Sequence, residues 1–152
     1  SWIKNANSEE FGAKEKDGNN VIYIMEDQKG KESTGGTMRL GDYKAILDNK
    51  SKTKKIYEKY GWGETNNGKY EVIERHRHRY EFNNEYRDVL TEHGLVLGGI
   101  SPDDRLVEIV ELPQSEHPWF LGCLIHPEFK SRPTKAHPLF RDFIAAALQY
   151  KK

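Results

Sequence analysis

The chain has 152 residues; 24 Lys and Arg balance 24 Asp and Glu, with 36% hydrophobic and 11% aromatic residues. This is the length of one domain or a large piece of one, enough to bury roughly 70% of its unfolded surface, and the aromatic content argues against disorder. Zero net charge lacks the basic excess that phosphate contacts require, and a single cysteine, Cys123, excludes an internal disulfide framework or a cysteine-based zinc cluster. No apolar run approaches the ~20 residues needed to span a bilayer, and residues 1–10 do not read as a signal peptide, so a cytoplasmic location is expected.

Residues 20–25 (NVIYIM) read as a short buried strand, followed by a polar loop over 26–36 that ends in Gly35-Gly36. A second extended region covers 37–41 and 43–47. Ser51 is a helix cap for a short lysine-rich helix carrying Ile56, Tyr57 and Tyr60, with Gly61 beyond its end. Residues 62–68 end in Asn67-Gly68, a turn signal. Residues 70–82 alternate as one strand, and 84–94 form a capped helix burying Tyr86, Val89 and Leu90. The apolar runs 95–100 and 106–112, joined by SPDDR, predict an antiparallel hairpin. A strand over 120–125 stops at Pro127. Pro138 opens the last helix, where its missing N–H costs nothing, and Leu139, Phe140, Phe143, Ile144, Ala147 and Leu148 form its apolar stripe. Pattern alone gives a mixed α/β domain.

His126-Pro127-Glu128 follows a strand end, where α/β sheets place ligand sites. Residues two apart on extended chain share a side, so Glu128 can orient the His126 imidazole as a thiol or hydroxyl nucleophile requires of its base. A purely structural role is the commoner fate of such a pair. Cys123, three residues from His126, should point to the opposite face and read as core. In ERHRHRYE (74–81), Arg75, Arg77 and Arg79 share one strand face, and His76, His78 and Tyr80 the other. The arginines suit a charged strand edge, an anion clamp or RNA contact; the flanking glutamates and zero net charge disfavour RNA. The segment STGGTMR (33–39) lacks the ending of a P-loop.

Taken in chain order, NANSEEF (5–11), GGTMRLG (35–41), ERHRHRYE (74–81), Asn83-Asn84, LVEIVEL (106–112), HPWF (117–120), HPEF (126–129), Ser131-Arg132-Pro133 and HPLF (137–140) resemble the CTP synthase family. The likeness covers nearly the whole chain, with 14–31 and 48–69 matching poorly. It implies that residues 1–152 are the C-terminal portion of a single class I glutaminase domain. The fold it implies is a flavodoxin-like mixed sheet with flanking helices and an antiparallel hairpin. The implied chemistry is a Cys–His–Glu triad hydrolysing glutamine to glutamate and ammonia, the ammonia passing to an amidoligase domain that converts UTP to CTP. His126 and Glu128 match the family's triad residues; Glu10 and Arg79 match its glutamine-binding acid and arginine.

No cofactor or metal is expected in this domain; ATP, Mg, UTP and allosteric GTP belong to the full enzyme. The expected partners are glutamine, the amidoligase domain of the same polypeptide and, in the full enzyme, a homotetramer, with no nucleic acid and no membrane. The family's nucleophile elbow, Gly-x-Cys-x-Gly, lies upstream of NANSEEF and is not within these residues. The chain alone is therefore expected to be inactive, and its remaining strands to expose an edge and an apolar face. The alternative is a non-catalytic pseudo-glutaminase binding module.

Overall fold

The computed structural model describes residues 2–11, 18–24 and 38–151. Strands β1 (Ala6–Ser8), β2 (Asn19–Ile24) and β6 (Tyr80–Phe82) form a small sheet with β2 in the middle. The larger sheet runs β4 (Glu64–Asn66), β5 (Lys69–His78), β3 (Arg39–Leu47), β7 (Val96–Ile100), β8 (Val107–Glu111), β9 (Leu121–Cys123). Among the described residues, parallel pairing is confined to β1 with β2, and every pair of the larger sheet is antiparallel. Three helices, α1 (Lys52–Lys59), α2 (Arg87–Glu92) and α3 (Pro138–Tyr150), complete the mixed α/β fold expected from the sequence. No helix among the described residues is long and apolar enough to cross a membrane.

Local chemistry sets the turns. Asn67 and Gly68 both have positive φ, +49° and +75°, and close the tight hairpin between β4 and β5 with the twist that paired strands prefer. The Ser51 hydroxyl caps α1 by accepting from the Lys54 N–H at 3.0 Å. Glu111, at the end of β8, takes the remaining donors there. Its carboxylate accepts from the Lys52 N–H at 2.6 Å, the Thr53 N–H at 2.8 Å and the Thr53 hydroxyl at 2.5 Å. A negative side chain against the positive end of a helix both satisfies orphan N–H groups and complements the dipole. His137 caps α3, with Pro138 in its first turn as predicted.

One face of the larger sheet, Ala45, Leu47, Tyr70, Val72 and Ile109, packs under Ile56 and Tyr57 of α1 and Leu139 of α3. A second cluster of Ile3, Phe82, Leu90 and Val107 joins the small sheet to α2 and β8.

The structure departs from the sequence reading in four places. The strand expected over 70–82 breaks at Arg79 into β5 and β6, which join different sheets. The helix expected over 84–94 is a 3-10 turn followed by the six-residue α2, and of its three expected core residues only Leu90 is fully buried. The strand expected over 120–125 shortens to β9. The α3 stripe is amphipathic as read, but Phe140, Phe143, Ile144 and Leu148 are 41–67% exposed, because only Leu139 reaches the α1 side of the core. The Gly35-Gly36 pair lies outside the described residues.

Candidate active site

Strand β5 organises the site. Its partner β3 covers one edge over its whole length, Leu47 opposite Tyr70 through Arg39 opposite His78. On the other edge β4 pairs only with residues 69–71. The open stretch is taken by the segment after β9: the His126 N–H donates to the Arg75 carbonyl at 2.8 Å, and the Lys130 ammonium donates to the Ile73 carbonyl.

On this docked segment the His126 Nδ1–H donates to Glu128 Oε1 at 2.7 Å, and the imidazole stacks on Phe129 at 5.2 Å with 14° between the planes. The two residues do meet, but not through strand alternation. Glu128 sits in a 3-10 turn (Pro127–Phe129) that curls its carboxylate back to the ring. Burial opposes the Glu128 charge, yet the hydrogen bond and charge of His126 hold its carboxyl below the ordinary value. With Nδ1 committed as a donor, the neutral ring keeps its lone pair on Nε2, the state of a general base.

Cys123 is no partner for that base. It is half-buried against the main core, its thiol nearest the Ile125 carbonyl at 3.7 Å. Burial, with Glu74 and Glu128 nearby, pushes its pKa up to about 12, so it is a thiol at neutral pH and not a nucleophile.

Glu10 and Arg79 arrive from different elements at one end of the small sheet. Glu10 lies exposed in the 3-10 turn Glu9–Phe11 after β1, whose neighbouring Glu9 carboxylate accepts the Ile24 N–H at 2.7 Å. Ile24 pairs with Tyr80, the residue after Arg79. Arg75 and Arg77 stand outward on β5, but Arg79 lies past the strand end, so the three arginines do not form a single row on one strand. Arg75 and Arg77 instead line an open groove with Met38, Leu40, Lys130 and Arg132.

Sequence reasoning missed the polar layer behind the site. Arg39 donates to Glu108 at 2.8 and 3.2 Å and to Glu81 at 3.3 Å, tying β3 to β8 and to the small sheet in one buried cluster. Burial opposes the Arg39 charge, but the two carboxylates outweigh it and raise its pKa. Burial pushes Glu81 up to about 7; Arg39 opposes that rise and Glu108 adds to it. Burial, then the Arg39 charge, drives His76 down to about 3 and His78 to about 4. A second buried cluster forms where Tyr57 and His137 both donate to Glu74 Oε1, at 3.0 and 2.9 Å. The signal available was charged residues on the inward face of otherwise apolar strands. Among the described residues, no group of His, Cys, Asp and Glu could hold a metal ion.

Comparison with known proteins gives the lineage. The family profile Glutamine amidotransferase class-I matches residues 6–146. The CTP synthase of Geotalea uraniireducens is 52% identical over 146 residues, which are 96% of this chain and 25% of that protein. The CTP synthase of Clostridium kluyveri is 55% identical over 131 residues, 86% of this chain and 22% of that protein. The chain thus spans about a quarter of the length of the curated relatives it matches. Among solved structures, the Trypanosoma brucei CTPS glutaminase domain with bound acivicin aligns at a TM-score of 0.75 and 34% identity, over 95% of this chain and 51% of that one. With a family match across nearly its whole length, the chain belongs to the class-I glutamine amidotransferases.

Proposed function

We propose that this chain is the C-terminal part of the glutaminase domain of a CTP synthase, and that His126 and Glu128 are the base and orienting acid of its thiol chemistry. The observation that carries this reading is the 2.7 Å hydrogen bond from His126 Nδ1 to Glu128, which presents Nε2 as the base. A thiolate attacks the side-chain amide carbon of glutamine, and the His126 imidazolium gives its proton to the departing ammonia. Water, deprotonated by His126, then hydrolyses the thioester to glutamate and regenerates the thiol. Glu10 would pair with the substrate ammonium and Arg79 with its carboxylate, by charge complementarity. In this reading Cys123, packed against the core with its thiol at the Ile125 carbonyl, is not the nucleophile, and the attacking thiol is one supplied by the rest of the glutaminase domain.

In the same reading the ammonia serves an amidoligase domain of the same polypeptide, which uses ATP and Mg to aminate UTP, is activated by GTP and assembles as a tetramer in the cytoplasm. A non-catalytic glutamine-binding module is the weaker reading, since binding alone gives no reason to keep an oriented histidine–carboxylate pair.

The test is glutamate release. The chain alone should show none above background. Joined to the N-terminal remainder of the Geotalea protein it should hydrolyse glutamine, and His126→Ala should cut that rate by about 10²–10⁴. Release by the isolated chain that disappears with His126→Ala, or an unaltered rate in the joined His126→Ala protein, would overturn the proposal.

A further inference from the structure

Arg79 is the single residue between two strands that belong to different sheets, with His78 ending β5 and Tyr80 beginning β6. Neither glycine nor proline sits at this change of direction. The bend is bridged instead by a side chain: His78 Nδ1 lies 3.0 Å from the Tyr80 carbonyl, closing a hydrogen-bonded ring over Arg79.

With both rings neutral, the protons in this bridge follow from donors and acceptors. A carbonyl only accepts, so His78 Nδ1 carries the hydrogen. In the neutral ring Nε2 is then an acceptor, and its neighbour at 2.8 Å is His76 Nδ1, which must therefore be protonated and donating. His76 in turn keeps its lone pair on Nε2, an atom that is buried and has no hydrogen-bond partner among the described residues. The chain of donors thus has one direction, from His76 through His78 to the Tyr80 carbonyl.

Burial keeps this pair neutral, with the Arg39 charge acting in the same direction. Arg39 on β3 stands between Glu81 of β6 and Glu108 of β8. Glu108 lies 3.8 Å from His76 Nδ1 and Glu81 lies 3.6 Å from His78 Nδ1, and a carboxylate charge there favours protonation, but burial first and then the Arg39 charge outweigh it. A doubly protonated His78 would have no lone pair for His76, and the order would collapse.

We infer that His78, oriented by His76, is a positioning residue that fixes the backbone of Arg79 and so presents its guanidinium to the carboxylate of glutamine. This deepens the reading of Arg79 given above and rests on it. A merely structural histidine in the same place would change stability without a specific effect on glutamine.

Two measurements on the chain itself decide this. The first is the imidazole nitrogen spectrum of the ¹⁵N-labelled chain at neutral pH, which should show Nδ1–H tautomers for both His76 and His78. An Nε2–H tautomer at His78 overturns the inference, whatever the variants do. The second is titration with L-glutamine followed by amide shifts. His78→Asn, whose side-chain N–H₂ can replace Nδ1–H, should bind within about threefold of wild type, whereas His78→Phe should weaken binding by about tenfold, the loss of one buried hydrogen bond. If His78→Phe does not fold, the tautomers and His78→Asn still decide: tenfold weakening by His78→Asn counts against the inference. Equal affinity in His78→Phe, with Arg79→Ala abolishing binding, refutes the role of His78 and leaves that of Arg79 intact. No saturable response in wild type, or full affinity in Arg79→Ala, refutes the glutamine reading of Arg79 and the inference with it.

Discussion

The buried Arg39 cluster makes stability depend on pH in a way that can be worked out group by group. His76 and His78 have folded pKa values of about 3 and 4 against an ordinary value near 6.5, so each contributes stability that is present above pH 6.5 and lost as pH falls toward those values. Glu81 has a folded pKa of about 7 against an ordinary value near 4.3, so its contribution runs the other way, present at low pH and lost as pH rises through 7. Between about pH 4.5 and 6 the unfolded chain holds two protons on these histidines, and the folded chain holds one on Glu81. The net difference of one proton gives a loss of about 1.4 kcal/mol per pH unit on acidification, or about 2 kcal/mol across that window. Replacing both histidines, His76→Asn with His78→Asn, leaves only the Glu81 contribution. The slope contributed by the cluster then reverses sign, so the two stability curves should diverge by about 2.7 kcal/mol per pH unit. Urea denaturation of both proteins, followed by circular dichroism from pH 4.5 to 8, measures this directly, because titrations elsewhere in the chain cancel in the difference. Parallel curves would refute the assignment of neutral, desolvated histidines beside Arg39.

Two further outcomes follow from separate sites. Glu111→Ala leaves the Lys52 and Thr53 N–H groups and the Thr53 hydroxyl without their acceptor, and should cost about 1–3 kcal/mol in urea unfolding; a change under about 0.5 kcal/mol would mean that water caps α1 as well as the carboxylate does. The Cys123 thiol, with a pKa near 12, should react with iodoacetamide at pH 8 about 10³-fold more slowly than the same chain in denaturant, and a folded rate equal to the denatured one would show that it is an accessible, ordinary thiol.

What could be read from the sequence was what local chemistry decides. Ser51, Asn67-Gly68 and Pro138 act within a few residues of themselves, and each stands where its cap, turn or first-turn preference put it. The pairing of His126 with Glu128 was legible for a similar reason, although the turn that accomplishes it was mistaken for extended chain. The inward charges of the Arg39 cluster were visible on their apolar strands, but their pairing was out of reach because the partners lie 42 and 69 residues from Arg39 and nothing in the spacing of one segment announces the other. The break at Arg79 has the same origin: alternation continues through 70–82, and only the existence of a second sheet stops the strand. The α3 stripe shows the reverse limit, since period 3.6 establishes an apolar face but not that a neighbour covers it.

The edge on which His126 docks exists because the chain leaves it early, and Gly63 is where it leaves. Strand β4 reaches only Glu64, opposite Glu71. Continued backwards, it would occupy the carbonyls of Ile73 and Arg75, which Lys130 and His126 use instead. At Gly63 the backbone turns away with φ +108°, and a Cβ there would lie 2.7 Å from the Glu71 carbonyl oxygen and 2.8 Å from a Val72 methyl. Glycine is therefore required twice, by the dihedral angle and by the close approach. Gly63→Ala should cost about 2–4 kcal/mol, combining backbone strain of about 1–3 kcal/mol with displacement of the β4 end. Because that displacement acts on the edge next to the docked segment, amide exchange at His126 should accelerate more than at Ile109 in the core, which reports global opening alone. Equal acceleration at both positions would mean that β4 and the His126 segment are not coupled through this edge, and that the site owes its placement to the contacts on β9 and the core instead.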